Sequence, residues 1–123
     1  MSFEIQKKPT YTLIKVKAEK LDTAISPSLK SELVILNSEG IKNIVIDLTE
    51  TRYCDSSGLS SILVANRLCK NSKGAFVLMG IQDSVKKLIS ISQLDSILNI
   101  ASSVTEAETM LSAALENQSR SED

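Results

Sequence analysis

The run Ile44-Val45-Ile46 constrains this chain more than any other stretch. Three β-branched residues in succession leave no polar side chain to face water. A strand of that kind is covered on both faces, and the usual cover is helices. A chain of 123 residues has room for one such domain around a modest core. The run then passes through a short polar loop into Asp55-Ser56-Ser57-Gly58-Leu59, where a helical pattern begins. An acid and two hydroxyls therefore sit at the start of a helix, beside unpaired backbone N–H groups and a partial positive charge.

Hydrophobic periodicity sets the rest of the order. Phe3 to Lys7 alternates as a half-buried strand, Lys8-Pro9-Thr10 reads as a turn, and Tyr11 to Ala18 returns as a second strand, giving an antiparallel hairpin. Ser26-Pro27 predicts a helix start, with Ser26 as the cap and Pro27 first in the helix. Ile25, Leu29, Leu33 and Leu36 recur at helical spacing, and Gly40 ends the helix. Ile41 to Leu48 is the buried strand. A second helix runs from about Ser56 to about Asn71, and Ala75 to Met79 is a further buried strand. Gly80 breaks it. Asp83 or Ser84 then caps a third helix whose inner face is Val85, Leu88, Ile89 and Ser92. Ile97 to Ile100 is a final short strand. Ser103-Val104-Thr105-Glu106 matches a capping box, opening a last helix on Ala107, Met110, Leu111, Ala114 and Leu115. The domain spans 1–116, and 117–123 is expected to be a disordered polar tail.

The order ββαβαβαβα predicts one α/β domain. Its mixed sheet is largely parallel, with right-handed crossovers and helices packed against it.

Composition removes whole classes of chemistry. There is no histidine, so imidazole metal ligands, a Ser-His-Asp triad and a Cys-His pair are all absent. Net charge is −1, which leaves no electrostatic footprint for nucleic acid or an anionic membrane. None of the four glycines has the spacing of a phosphate loop or a dinucleotide site. Asp22, Asp47, Glu50 and Asp55 stand near predicted strand ends, where ligands bind in open α/β sheets. Carboxylates alone can hold Mg²⁺, but surface acids are ordinarily solvated. No catalytic group, metal or cofactor is expected. Cys54 and Cys69 read as two reduced, partly buried thiols. Met1 to Thr10 is mixed and polar and is not expected to be a signal peptide, and no apolar run approaches the roughly 20 residues of a membrane span. The expected location is the cytoplasm.

What remains is a surface and a switch. Asp55 and Ser56 both suit the cap of the second helix, and only one can occupy it, leaving the other in an exposed loop. A phosphate on a serine here would add nearly two negative charges beside Asp55. A helix wheel turns Leu59, Ile62, Leu63, Ala65 and Cys69 inward. It turns Val64 and Leu68 outward among Ser60, Ser61 and Arg67. Two aliphatics on the outer face suggest a partner surface. The plainer alternatives are that a neighbouring helix partly covers them, or that they are scattered exposure of the ordinary kind.

From Phe3 to Leu115 the chain resembles the STAS-domain anti-sigma factor antagonists of the SpoIIAA kind. The resemblance rests on Ile44-Val45-Ile46-Asp47-Leu48, then six residues, then Asp55-Ser56-Ser57-Gly58-Leu59. Leu21-Asp22, and Val85-Lys86-Lys87-Leu88 followed by Leu94, are weaker matches. It implies that Ser56, directly after the Asp, is phosphorylated by a partner that is both anti-sigma factor and serine kinase, with Ser57 as the fallback. It implies that the unphosphorylated form binds that partner and frees sigma, and that the phosphorylated form does not bind. A serine phosphatase acting on the phosphorylated form would complete the cycle. The implied contact surface takes in Asp22, Asp55, Ser56, Ser57, Gly58, Ser60, Val64 and Leu68.

Three positions depart from the family pattern. Glu19 and Gln93 stand where glycine is usual, and a double glycine is reduced to Lys73-Gly74. Gln93 is expected to remove a positive-φ helix end. The alternative function is a non-phosphorylated STAS adaptor in a stressosome-like or lipid-transport-like complex, with Ser56 serving only as a helix cap.

Overall fold

The N-terminal alternation folds as a hairpin: β1 (Phe3–Lys7) pairs antiparallel with β2 (Thr12–Val16), Ile5 opposite Ile14. The Lys8 N–H donates to the Tyr11 carbonyl at 2.8 Å, closing the turn over Pro9. The computed structural model describes residues 2–122, with side chains through residue 116. The apolar run forms β4 (Ile44–Asp47), buried at all four positions. It lies parallel between β2 and β6 (Phe76–Met79), and β7 (Asn99–Ala101) completes the sheet in the order β1-β2-β4-β6-β7.

Both faces are covered, as three consecutive β-branched residues require. The helices α1 (Ser26–Ser38), α2 (Ser56–Asn71) and α3 (Asp83–Ile91) share a core with Ile14, Val16, Ile44, Ile46, Leu48, Phe76 and Leu78. The opposite face, with Tyr11, Val45, Val77, Met79 and Ala101, is covered by α4 (Val104–Glu122) through Ala107 and Leu111. The main order is the one read from the sequence. Two additions interrupt it: β3 (Lys20–Leu21) and β5 (Tyr53–Cys54) pair parallel as a separate two-stranded ribbon.

Several local expectations are corrected. Ser26 is not the cap of α1. Ile25 holds that position without a side-chain bond, Ser26 is the first helical residue, and its side chain is buried. The start is tied down from Asp22 instead: its carbonyl accepts from the N–H groups of Ile25 and Ser26, and its carboxylate accepts from Ala24. Neither Asp83 nor Ser84 caps α3. Gln82 does so by position, without a side-chain bond, and the Ser84 hydroxyl reaches the Arg52 carbonyl. Ser92 is exposed and outside the buried face of α3. Gln93 keeps the positive-φ helix end it was expected to remove, with φ +61°, and Lys73 takes the same left-handed conformation. At α4 the Ser103 hydroxyl accepts from the Glu106 N–H, but Glu106 reaches one residue further back, to the Ser102 N–H. The expected strands Ile41–Leu48 and Tyr11–Ala18 are both shorter than the apolar runs that marked them. The tail expected over 117–123 falls on residues whose side chains lie outside the described ones.

Helix α2 begins and ends where the sequence places it, but its outer face is not the one expected. The Ser57 hydroxyl lies 3.3 Å from that of Ser26, and the Ser72 hydroxyl donates to Asn37 Oδ1 at 2.8 Å. These bonds put one line of α2 against α1. At 100° per residue Val64 and Leu68 fall on that same line. Both are half-buried and packed on the core. Ser61 is fully buried and bonds back to the Gly58 carbonyl at 2.7 Å. By this wheel the two aliphatics lie on the side of α2 toward α1 and are half-buried, while Ser56, Ser60 and Arg67 share the next line round.

Candidate phosphorylation and docking site

The β3–β5 ribbon builds the site. Leu21 pairs with Cys54, so Asp22 and Asp55 leave the ribbon side by side. The Asp55 N–H donates to the Leu21 carbonyl at 3.3 Å. Upstream, the Thr51 hydroxyl donates to the Ala18 carbonyl at 2.9 Å, and the Arg52 and Tyr53 N–H groups both donate to the Glu19 carbonyl. Glu19 thus contributes through its backbone, without positive φ, and its side chain is exposed. Gly58 sits directly under the ribbon. A Cβ there would collide with the Leu21 carbonyl oxygen and stand 2.6 Å from the Cys54 Sγ. Gly58 is buried, and its missing Cβ lets helix and ribbon close.

The choice of cap is resolved by geometry. Asp55 is the cap of α2 in an extended conformation. Its Oδ1 accepts from the backbone N–H groups of Ser57 and Gly58, each at 3.0 Å, and from the Ser57 hydroxyl at 2.6 Å. The Ser57 hydroxyl foremost, then the amides, hold the Asp55 carboxyl below the usual carboxylate range. Ser57 is half-buried and committed to Asp55. Ser56 is the first helical residue, exposed, with its hydroxyl bonded to none of the described residues. Ser60 lies one turn on and is half-buried.

The other candidate acids are engaged elsewhere. Asp47 is buried and accepts from the Thr49 N–H at 2.8 Å and from the Thr49 hydroxyl. Glu50 pairs with Lys15 at 3.2 Å and Lys17 at 3.5 Å. Burial pushes the thiols of Cys54 and Cys69 up to about 12, so neither is a nucleophile at neutral pH. Among the described residues no three His, Cys, Asp or Glu are grouped to hold a metal ion. No described helix is long and apolar enough to cross a membrane.

Of the residues expected at the contact surface, the structure brings Asp22, Asp55, Ser56, Ser57 and Ser60 together around the start of α2. It buries Gly58 beneath them and turns Val64 and Leu68 toward α1. Sequence reasoning gave Ser26 only as a cap and Leu21 only as part of a motif match, and missed both the Ser26–Ser57 contact and the pairing of Leu21 with Cys54. Two-residue strands carry no periodicity to detect, and Ser26-Pro27 reads as a cap wherever it occurs.

This arrangement defines a small α/β binding domain whose exposed hydroxyl stands at a helix start beside a fixed carboxylate. The STAS domain model matches residues 2–107. The anti-sigma-B factor antagonist of Listeria monocytogenes is 32% identical over 101 residues, covering 81% of this chain and 88% of the relative. Among solved structures, an anti-sigma-factor antagonist (STAS) domain protein from Planctomyces limnophilus superposes with a TM-score of 0.80 at 15% identity, over 89% of this chain and 97% of that one. The Bacillus cell fate determinant SpoIIAA in its phosphorylated form superposes with a TM-score of 0.70 at 17% identity, over 88% and 97%. At these identities the two structures speak for the fold. The chain belongs to the STAS domain family, with anti-sigma factor antagonists as its relatives.

Proposed function

We propose that this protein is an anti-sigma factor antagonist switched off by phosphorylation of Ser56. The observation that carries the reading is the division of labour at the start of α2. Asp55 takes the cap, Ser57 is bonded to it, and Ser56 alone is exposed and unengaged. A nucleoside triphosphate would supply the phosphoryl group through a serine kinase. The Ser56 oxygen bonds to the γ-phosphorus, the bond to the departing diphosphate breaks, and the serine proton passes to a base on the kinase. The added charge rests at a helix N-terminus, which offsets part of the repulsion from Asp55. A partner approaching with its own acids meets that charge undiluted, so docking is lost while the fold is kept. Relatives named as anti-sigma-B factor antagonists, and a fold neighbour described in a phosphorylated form, support the reading.

The partner is an anti-sigma factor that is also the kinase, and a serine phosphatase restores the binding form. The docking surface is the Asp22 loop together with Asp55, Ser56 and Ser60. Val64 and Leu68 contribute only the edge left uncovered beside α1. A pull-down from the host with wild type, Ser56→Ala and Ser56→Glu tests this. Ser56→Ala should retain the partner and carry no phosphate, and Ser56→Glu should lose the partner. Equal capture by all three would point to a constitutive adaptor.

A further inference from the structure

Ser26 is 1% exposed and sits at the start of α1, where it caps nothing. Its hydroxyl has one described side-chain partner, the Ser57 hydroxyl at 3.3 Å. The direction of that bond follows from its neighbour. An ionised Asp55 can only accept, so Ser57 spends its proton on Asp55. Ser57 therefore accepts from Ser26. The three side chains form a directed chain, Ser26 to Ser57 to Asp55, running from the first turn of α1 to the cap of α2. Such chains strengthen their members, since each donor polarises the next.

We propose that Ser26 is a positioning residue: through Ser57 it fixes the Asp55 cap and commits the second serine of the pair, so that only Ser56 takes a phosphate. Ser57 is half-buried with its hydroxyl turned onto Asp55 and backed by Ser26, so it reaches a phosphorus atom only by rotating out of that pocket of bonds. Ser56 gives up nothing. The same chain holds the Asp22 loop against the start of α2, keeping both parts of the docking surface in register. The selection between serines rests on the proposed phosphorylation. The positioning of Asp55 does not.

Two measurements separate these claims. The first is the titration of the Asp55 carboxyl carbon by NMR in wild type, Ser26→Ala and Ser57→Ala. Asp22, beyond the ribbon pairing, and the neutral Cys54 thiol are the nearby titratable groups, and neither is altered by these variants. The midpoint should rise in Ser57→Ala, and rise by less in Ser26→Ala. An unmoved midpoint in Ser26→Ala, with a dispersed amide spectrum attesting the fold, overturns the proposal. The second is phosphopeptide mapping of proteins expressed in the host. Ser56→Ala should carry no phosphate on Ser57, and Ser26→Ala/Ser56→Ala should gain it. No gain, or equal Ser57 phosphate in both, overturns the selection. Wild type without phosphate on either serine removes the phosphorylation reading and the selection with it, while the Asp55 titration still decides the positioning role.

Discussion

Gly58 is where a single added carbon does the most damage. A Cβ would press on the Leu21 carbonyl and on Cys54 Sγ, both fixed by the ribbon. Gly58→Ala should cost about 1–3 kcal/mol despite alanine's better helix propensity, read as a lower urea midpoint. Sequence reasoning singled out this glycine as part of the contact surface. The motif marks it, and only the ribbon explains it. The two buried thiols give a pH test with a definite sign. Folding favours their neutral form, so the stability this contributes is intact below the ordinary thiol pKa of about 8.5. It is lost as the pH rises toward about 12. Urea midpoints should fall between pH 8 and pH 11, and neither cysteine should react with iodoacetamide at pH 8 until the chain unfolds.

Elements with strong periodicity were legible, and their joints were not. The start of α2 followed from Asp-Ser-Ser-Gly, where both Asp55 and Ser56 suit a cap, and only the structure decided for Asp55. The joint after α3 misled for a physical reason. Glycine is the economical residue at positive φ, so its replacement by Gln93 suggested that the turn itself had changed, yet the chain keeps the turn with φ +61°. Holding a non-glycine residue there costs of order 1 kcal/mol, and Gln93→Gly should recover about that much, raising the melting temperature by a few degrees. The α2 cap titrates in the opposite sense to the thiols. Its carboxyl is held low in the folded chain, so its contribution is present above the unfolded carboxylate pKa and disappears as the pH falls through the lower folded value. Protection of the Ser57 and Gly58 amides, taken relative to their intrinsic exchange rate at each pH, should fall on acidification before that of the core strands β4 and β6.

For the whole molecule, the helices sit unequally on the sheet, three on one face and α4 alone on the other. The first two helices of the three-helix face bring their starts together at Ser26 and Ser57, and there the exposed serine stands. A charge at Ser56 lies outside the core, so Ser56→Glu should leave the melting temperature within about a degree of wild type. Partner binding should weaken at least tenfold, about 1.4 kcal/mol. Added salt should recover part of that loss, because the penalty acts between exposed charges. The most direct test is mass spectrometry of the tryptic peptide Tyr53 to Arg67 from protein purified from its host, with and without phosphatase treatment. A phosphate on Ser56 that phosphatase removes is the expected result. A peptide that carries no phosphate under any growth condition contradicts the switch.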